Sequence, residues 1–345
     1  MDAALIVPAP FDAVSGGYIY DRRIVAGLRE AGHMVRVIEL AGRHPIADDL
    51  ARDAACAGWD SIGDDARPII DGLALPAFAG LEDALSARSA VGLIHHPTAL
   101  ETGLSGAERA AQFGIEKRLL GRLARIIATS EITAERLAGD FGVDRERIKV
   151  VVPGTDEAPR SPGSVGPTCH ILSIGTLVPR KGHDILLRAL ARLFDLDWRL
   201  TVVGSAERDP VHADTLASLA HDLGIARHVT FAGEVTGDAL EALWQRADVF
   251  ALATHWEGYG MAIAEALKRG VPVAVSDGGA AGKLVTEMSG AVCPVGDWIN
   301  LSKALRRMIF SADLRRMMAE AAFQAGQALP DWRTQVKEFA LALAG

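Results

Sequence analysis

The chain has 345 residues, 49% of them hydrophobic and 23% charged, with a formal net charge of −8. That length is too great for one ordinary core and suits two domains, and the composition is that of a globular protein. The acidic balance argues against recognition of a phosphate backbone, and so against a nucleic-acid partner.

Taken in chain order, "AALIVPAP" is a short apolar run closed by prolines and predicts a buried strand. After "FDAVSGG", the spacing of Ile24, Val25 and Leu28 predicts a helix that Gly32 ends, and "MVRVIEL" alternates as a strand. Strand, glycine-containing loop, helix and strand make a βαβ unit and favour a parallel sheet. Residues 48–71 are rich in Asp and read as a surface excursion with a weak helix. "AVGLIHHP" predicts a strand, 105–124 a helix, "RIIATS" a strand, "EITAERLAGDF" a helix and "IKVVVPG" a strand. The stretch 154–168 then drops its hydrophobic residues and gathers Pro, Gly and Ser, as a linker does.

Beyond it the alternation restarts and runs from "HILSIGTL" to the helix "NLSKALRRMIF". Two such runs joined by one linker predict an α/β protein of two doubly wound, Rossmann-like domains, with ligands beyond the C-terminal ends of the strands. The boundaries read as 1–160 for the first domain and 168–328 for the second. The three cysteines, Cys56, Cys169 and Cys293, form no CxxC pair. They read as small buried hydrophobes of a reducing compartment, with no metal cluster. The N-terminus lacks the basic and long apolar regions of a signal peptide, and no apolar run approaches the ~20 residues that span a bilayer. The expected location is the cytoplasm.

Two stretches carry the chemistry. In "HWEGYGMAIAEALKRG" the carboxylates Glu257 and Glu265 stand eight residues apart. Were the whole segment helical, they would lie about 12 Å apart along the axis. If Glu257 instead sits in a loop and the helix starts near Gly260, both face one ligand. Gly258 and Gly260 then let backbone amides approach it, and the helix N-terminus favours an anion. In "SIGTLVPRKGHDILLRAL", Arg180 and Lys181 fall where the next helix begins and could clamp a diphosphate. Taken alone, the Glu257–Glu265 stretch is equally compatible with solvated carboxylates beside an ordinary loop, and an isolated Arg180-Lys181 pair reads first as two solvated surface charges.

Together, and in this order, they resemble the retaining family 4 glycosyltransferases. "EGYGMAIAE" matches that family's acid–seven residues–acid motif, "GTLVPRKGHDILLRAL" its diphosphate-binding segment, and "SDGG" follows at the expected place. The resemblance implies the GT-B fold, two Rossmann-like domains facing across a cleft, with the first on the acceptor side and a terminal helix at 330–345 crossing back to it. Trp332 is then a packing anchor. It implies Glu265 on the donor ribose and Glu257 on the hydroxyls of the transferred sugar. The amides of Tyr259, Gly260 and Met261 lie near that sugar, and Arg180 and Lys181 face the departing diphosphate. The backbone around Glu234 and Val235 would line the base. Thr176 stands where the family commonly has Arg, and "AAGKLV" replaces its usual Pro-Glu pair after "SDGG".

In the first domain, "SGG" with Gly16 and Gly17 resembles the family's glycine-rich loop near the phosphates. "LIHHPTALETG" resembles the segment whose histidine lies beside the transferred sugar. His95 fits that position better than His96, and Glu101 is a candidate to orient the acceptor. Lys117, Arg118, Arg122 and Arg125 alternate with Leu119, Leu120 and Leu123 within 108–126. That pattern describes either a membrane-surface helix or a core-facing helix with a solvated basic side. The expected reaction is metal-independent, cofactor-free transfer from a nucleotide-diphosphate sugar such as a UDP- or GDP-sugar. The acceptor is a glycan, a lipid or a small metabolite, and the mechanism is front-face substitution. A sugar-nucleotide epimerase of the same architecture and a non-catalytic nucleotide-sugar-binding subunit are the alternatives.

Overall fold

The computed structural model describes residues 1–344. The chain divides into two compact units, one of Met1–Gly154 with the segment from Trp332 onward, the other Thr155–Asp331.

The first unit runs β1 (Asp2–Pro8), α1 (Gly16–Glu30), β2 (Met34–Leu40), α2 (Asp49–Asp60), β3 (Arg67–Asp71), α3 (Glu82–Ala87), β4 (Val91–Ile94), α4 (Gly106–Leu120), β5 (Arg125–Ala128), α5 (Glu131–Gly139) and β6 (Ile148–Val150). Its sheet has the order β2-β1-β3-β4-β5-β6 and every pairing is parallel. The strand direction of travel therefore reverses between β1 and β3, which is where such sheets bind ligands. Ile6, Leu40, Trp59, Phe78, Leu119 and Ile126 lie in its core.

The second unit runs β7 (Cys169–Ile174), α6 (His183–Ala191), β8 (Trp198–Val203), α7 (Pro210–Asp222), β9 (Val229–Phe231), α8 (Gly237–Arg246), β10 (Val249–Leu252), α9 (Met261–Lys268), β11 (Val273–Ser276), β12 (Gly290–Cys293), α10 (Trp298–Phe310) and α11 (Ala312–Gln327). Its parallel sheet has the order β12-β11-β10-β7-β8-β9, with the switch point between β7 and β10. Trp198 and Leu200 pack on one side of the sheet, and Trp244, Phe250 and Leu267 form a second cluster. The last helix, α12 (Trp332–Ala344), belongs to the first unit. Its Trp332 and Phe339 rings meet Tyr20 of α1 at 5.8 and 6.4 Å, and a Cβ at Gly27 would overlap Val336 at 2.4 Å. Helices α1 and α12 thus meet backbone to side chain, with Trp332 in the packing role.

Three readings of the sequence change. Residues 48–71 are no surface excursion: α2 is a full helix and β3 is a buried strand between β1 and β4. Pro68 is tolerated there because β3 pairs with β4 only from Ile69 onward, so no ladder bond to β4 is lost at the proline. Helix α11 is an addition. It buries only Ala322 and Gly326, and a Cβ at Gly326 would lie 2.4 Å from the Leu267 backbone. Its contact with α9 is a close backbone approach, and its half-buried Met318 packs against the core beside it. The segment read as a linker is fastened to the second unit: Thr155 donates to Pro330 O, Ser161 to Arg269 O, and Glu157 pairs with Lys268 at 2.7 Å.

Candidate active site

In the second unit the site is built at the C-terminal ends of β7 and β10. Strand β7 stops at Ile174, and a short turn, Pro179–Lys181, leads through Gly182 into α6. Gly182 has φ +63°, and a Cβ there would lie 2.0 Å from the Ala253 carbonyl oxygen. The turn therefore lies directly on the end of β10, which only glycine permits. Gly175 has the same function against the stem of Lys181, whose Cδ would be 3.0 Å from an added Cβ. His183, buried behind the turn, bonds the Gly175 carbonyl at 3.2 Å; burial holds its pKa down at about 4, so it donates as the neutral imidazole.

Glu257 lies in the loop after β10, and α9 begins at Met261 with Gly260 in the left-handed region at φ +102°. Its Oε1 accepts from Lys181 Nζ at 2.6 Å and from Thr254 Oγ1 at 3.1 Å, with Arg180 Nη1 at 3.8 Å. The Arg180 guanidinium also donates to Trp256 O at 2.7 Å. Burial alone would raise the Glu257 pKa, but the Lys181 charge, then Arg180, hold it below the ordinary carboxylate range. The acid is ionised, 7% exposed, and faces two cations. The "SDGG" segment sets this loop. Gly278 O accepts from Glu257 N, Ala280 N donates to Glu257 O, and Ser276 Oγ bonds Thr254 O. A Cβ at Gly279 (φ +64°) would stand 2.3 Å from Glu257 O.

Glu265 occupies the second turn of α9 and is half-buried. The first amides of α9 have no carbonyl one turn earlier within the helix, which is the arrangement an anion uses. Tyr259 is buried, and burial pushes its phenol up to about 12, so the side chain stays un-ionised. Gly258 and Met261 are partly exposed beside it. Thr176 lies partly exposed in the turn after β7, and Val235 is half-buried between β9 and α8. Cys169 and Cys293 are buried, and burial pushes the Cys169 thiol up to about 12. Cys56 is exposed, against the reading of all three as buried.

In the first unit the corresponding place is the end of β1, β3 and β4. Arg22 of α1 donates to Phe11 O and Ala13 O, which fixes the loop leading to Gly16 and Gly17. A Cβ at Gly17 would stand 3.3 Å from His95 Cδ2, so the glycine lets α1 come up against the imidazole. His95 follows β4; its Nε2 is 2.8 Å from Asp21 Oδ1 and 3.7 Å from Asp71 Oδ2. Tyr20 meets the His95 ring edge-on at 5.2 Å. Both acids are buried, and the donor atoms of the three side chains converge within 4.8 Å. Burial would lower the His95 pKa, but the Asp21 carboxylate and then Asp71 raise it overall. Burial, reinforced by Asp21, raises Asp71 to about 7. Asp21 and Asp71 escaped the sequence reading. The available signal was one turn of helix from Gly17 to Asp21, and an acid closing the apolar run "IID".

His96 points elsewhere, 3.7 Å from Glu101. The loop after the histidines is clamped from α4: Glu116 accepts from the amides of Thr98 and Ala99 at 2.8 Å, and Gln112 donates to Thr98 Oγ1. The basic stretch 108–126 takes the core-facing form. Leu119, Leu120 and Leu123 are buried, Arg118 pairs with Glu82, and Arg125 opens β5 and donates to Ala342 O. No described helix is long and apolar enough to cross a membrane.

Comparison with known proteins agrees with this geometry. Residues 155–325 match the glycosyl transferases group 1 family and residues 14–158 match Glycosyltransferase Family 4. A D-inositol 3-phosphate glycosyltransferase of Mycolicibacterium smegmatis is 33% identical over 225 residues, 61% of this chain and 51% of its own. That of Actinosynnema mirum is 32% identical over 234 residues, 59% and 53% of the two chains. The chain spans about half the length of the curated relatives it matches. Sucrose-phosphate synthase from Thermosynechococcus elongatus superposes with a TM-score of 0.84 at 19% identity, covering 100% of this chain and 98% of that one. Anabaena HepE, solved in complex with UDP-glucose, superposes at 0.78 and 19% identity, covering 99% of each. At those identities the structural likeness speaks for the fold, and the two matched families supply the rest. The chain belongs to the family 4 glycosyltransferases (glycosyl transferases group 1), with two doubly wound domains of the GT-B type.

Proposed function

We propose that the chain transfers a sugar from a nucleotide-diphosphate donor to an acceptor hydroxyl with retention of anomeric configuration. The observation that carries this reading is the buried Lys181–Glu257 pair with Arg180 beside it, at the switch point of the second sheet and next to the N-terminus of α9. Ionised Glu257 accepts hydrogen bonds from sugar hydroxyls, and Glu265 accepts from the ribose diol. Lys181, Arg180 and the first amides of α9 face the diphosphate and stabilise the charge it gains on leaving. By the same family resemblance His95 takes a hydroxyl of the transferred sugar. The bond from the anomeric carbon to the diphosphate oxygen breaks, and a bond to the acceptor oxygen forms on the same face. The acceptor's proton passes to the leaving phosphate oxygen. The positive charge comes from side chains, so exhaustive EDTA treatment leaves the rate unchanged.

The known complex of HepE makes UDP-glucose the first donor to assay, with GDP- and ADP-sugars beside it, and the curated relatives make inositol 3-phosphate the first acceptor. Proton NMR of the product reads the outcome. An α-linked product from an α-linked donor is expected. A β-linked product contradicts retention, and donor consumed equally without any acceptor moves the reading to an epimerase or hydrolase.

A further inference from the structure

The first unit carries a group of buried ionisable side chains that the transferase reading leaves without a task. Asp21 and Asp71 are 1% and 2% exposed, come from α1 and β3, and both turn toward Nε2 of His95. Buried carboxylates are retained where they are paired, because an isolated one is costly. Asp71 Oδ1 is satisfied by the Leu73 amide at 2.8 Å, which leaves Oδ2 facing the imidazole. The titratable groups against the ring are Asp21 and Tyr20 from α1 and Asp71 from β3; Tyr20 is committed to Val151 O. Just after β5, Thr129 donates to the His95 carbonyl at 3.4 Å, and the Gly17 backbone lies against the ring, whose side chain stays 21% exposed.

We propose that Asp21 and Asp71 are positioning residues that hold His95 as an imidazolium, committed at Nε2 to Asp21, so that its Nδ1–H serves as a fixed hydrogen-bond donor to a ligand oxygen and never as a general base. A neutral ring with its proton on Nε2 would present a bare Nδ1, an acceptor. Two carboxylates on one side reverse that preference, since each favours the charged ring. The ligand group this selects is an oxygen with a free lone pair, a sugar hydroxyl or a phosphoryl oxygen, and not an amine. The inference rests on the transferase reading for the ligand and on the geometry alone for the state of the ring.

Nitrogen-15 NMR of the full-length protein without ligand reads that state directly, with His95→Gln assigning the resonance. Both ring nitrogens of His95 are expected in the protonated range at pH 7.5, and Asp21→Asn is expected to lower the midpoint by at least one pH unit. Asp71→Asn, more distant, lowers it less and gives a second test should Asp21→Asn fold poorly. In transfer assays Asp21→Asn is expected to reduce kcat about 10-fold or more, with the nucleotide KM unchanged, and to move the alkaline limb of the pH profile down with the NMR midpoint. A merely structural role leaves that limb in place. A wild-type ring that titrates at the ordinary value near 6.5, or a midpoint unmoved in both variants, overturns the inference. So does a divalent ion that binds the three groups and keeps the ring unprotonated. If the NMR result holds while no donor is turned over, the transferase reading fails and this one stands.

Discussion

Replacing Lys181 by Met removes the partner that lies 2.6 Å from a carboxylate 7% exposed to solvent. What remains around Glu257 is Thr254 at 3.1 Å and Arg180 at 3.8 Å, the latter already bonded to Trp256 O. Breaking a buried pair costs about 3–5 kcal/mol. The retained Arg180 and the 15% exposure of the lysine side chain bring the expected loss down to about 2–4 kcal/mol at pH 7.5. The pH dependence is the sharper test. In the wild type the Glu257 pKa is depressed, so its contribution is present above the unfolded value and lost as pH falls through the folded one. Without Lys181 burial dominates and the pKa rises. The destabilisation is then large at pH 7.5 and shrinks as Glu257 takes up its proton toward pH 4.5. Urea unfolding followed by tryptophan fluorescence measures both conditions, and the wild-type reference cancels other titrating groups. The double variant Lys181→Met/Glu257→Gln should lose about 2 kcal/mol less than the sum of the singles. The same loss at both pH values, or additivity within about 0.5 kcal/mol, would show that the pair is not electrostatically linked.

Other outcomes follow from the same geometry. Gly182→Ala forces a Cβ against Ala253 O and a left-handed backbone; calorimetry should show nucleotide binding weakened at least about 10-fold, with about 2 kcal/mol lost in unfolding experiments. His183 is buried and neutral with its pKa lowered to about 4, so the second unit loses stability as pH falls from about 6.5 toward 4. That loss is at most about 3 kcal/mol, and the slope should be absent in His183→Gln. Glu265→Ala should raise the nucleotide Kd, while Glu257→Ala should lower kcat; each effect is about 10–100-fold, and steady-state kinetics separates them.

Much of the second unit was legible in the sequence because its site is local. Glu257, Gly258 and Gly260 sit in one loop, and a left-handed Gly260 starting α9 is what the spacing of small residues before "MAIAEALK" implies. The Arg180-Lys181-Gly182 turn is equally local. What brings the two together is the pairing of β7 with β10, strands about 80 residues apart in sequence, and the backbone bonds from Gly278 and Ala280. The first unit was less legible for the same reason. Asp21 reads as one more charge in "YDRR", and Asp71 closes a strand hidden behind an acidic lead-in and a proline. Only the sheet order sets α1, β3 and β4 side by side. For the basic stretch 108–126 the sequence left two forms open, and the structure has the core-facing one: the leucines are core, Arg118 and Arg122 pair with Glu82 and Asp83, Arg125 donates to Ala342 O, and Lys117 lies over the Phe113 ring.

The most direct test of the central claim is calorimetric titration of UDP, GDP and ADP, without metal, into the wild type and Glu265→Ala. Tight binding of one nucleotide that weakens by about 10-fold or more in the variant is the predicted result, and it names the base of the donor. No binding of any of the three to the wild type would contradict the account, and would leave the Lys181–Glu257 pair as part of the second unit's folding alone.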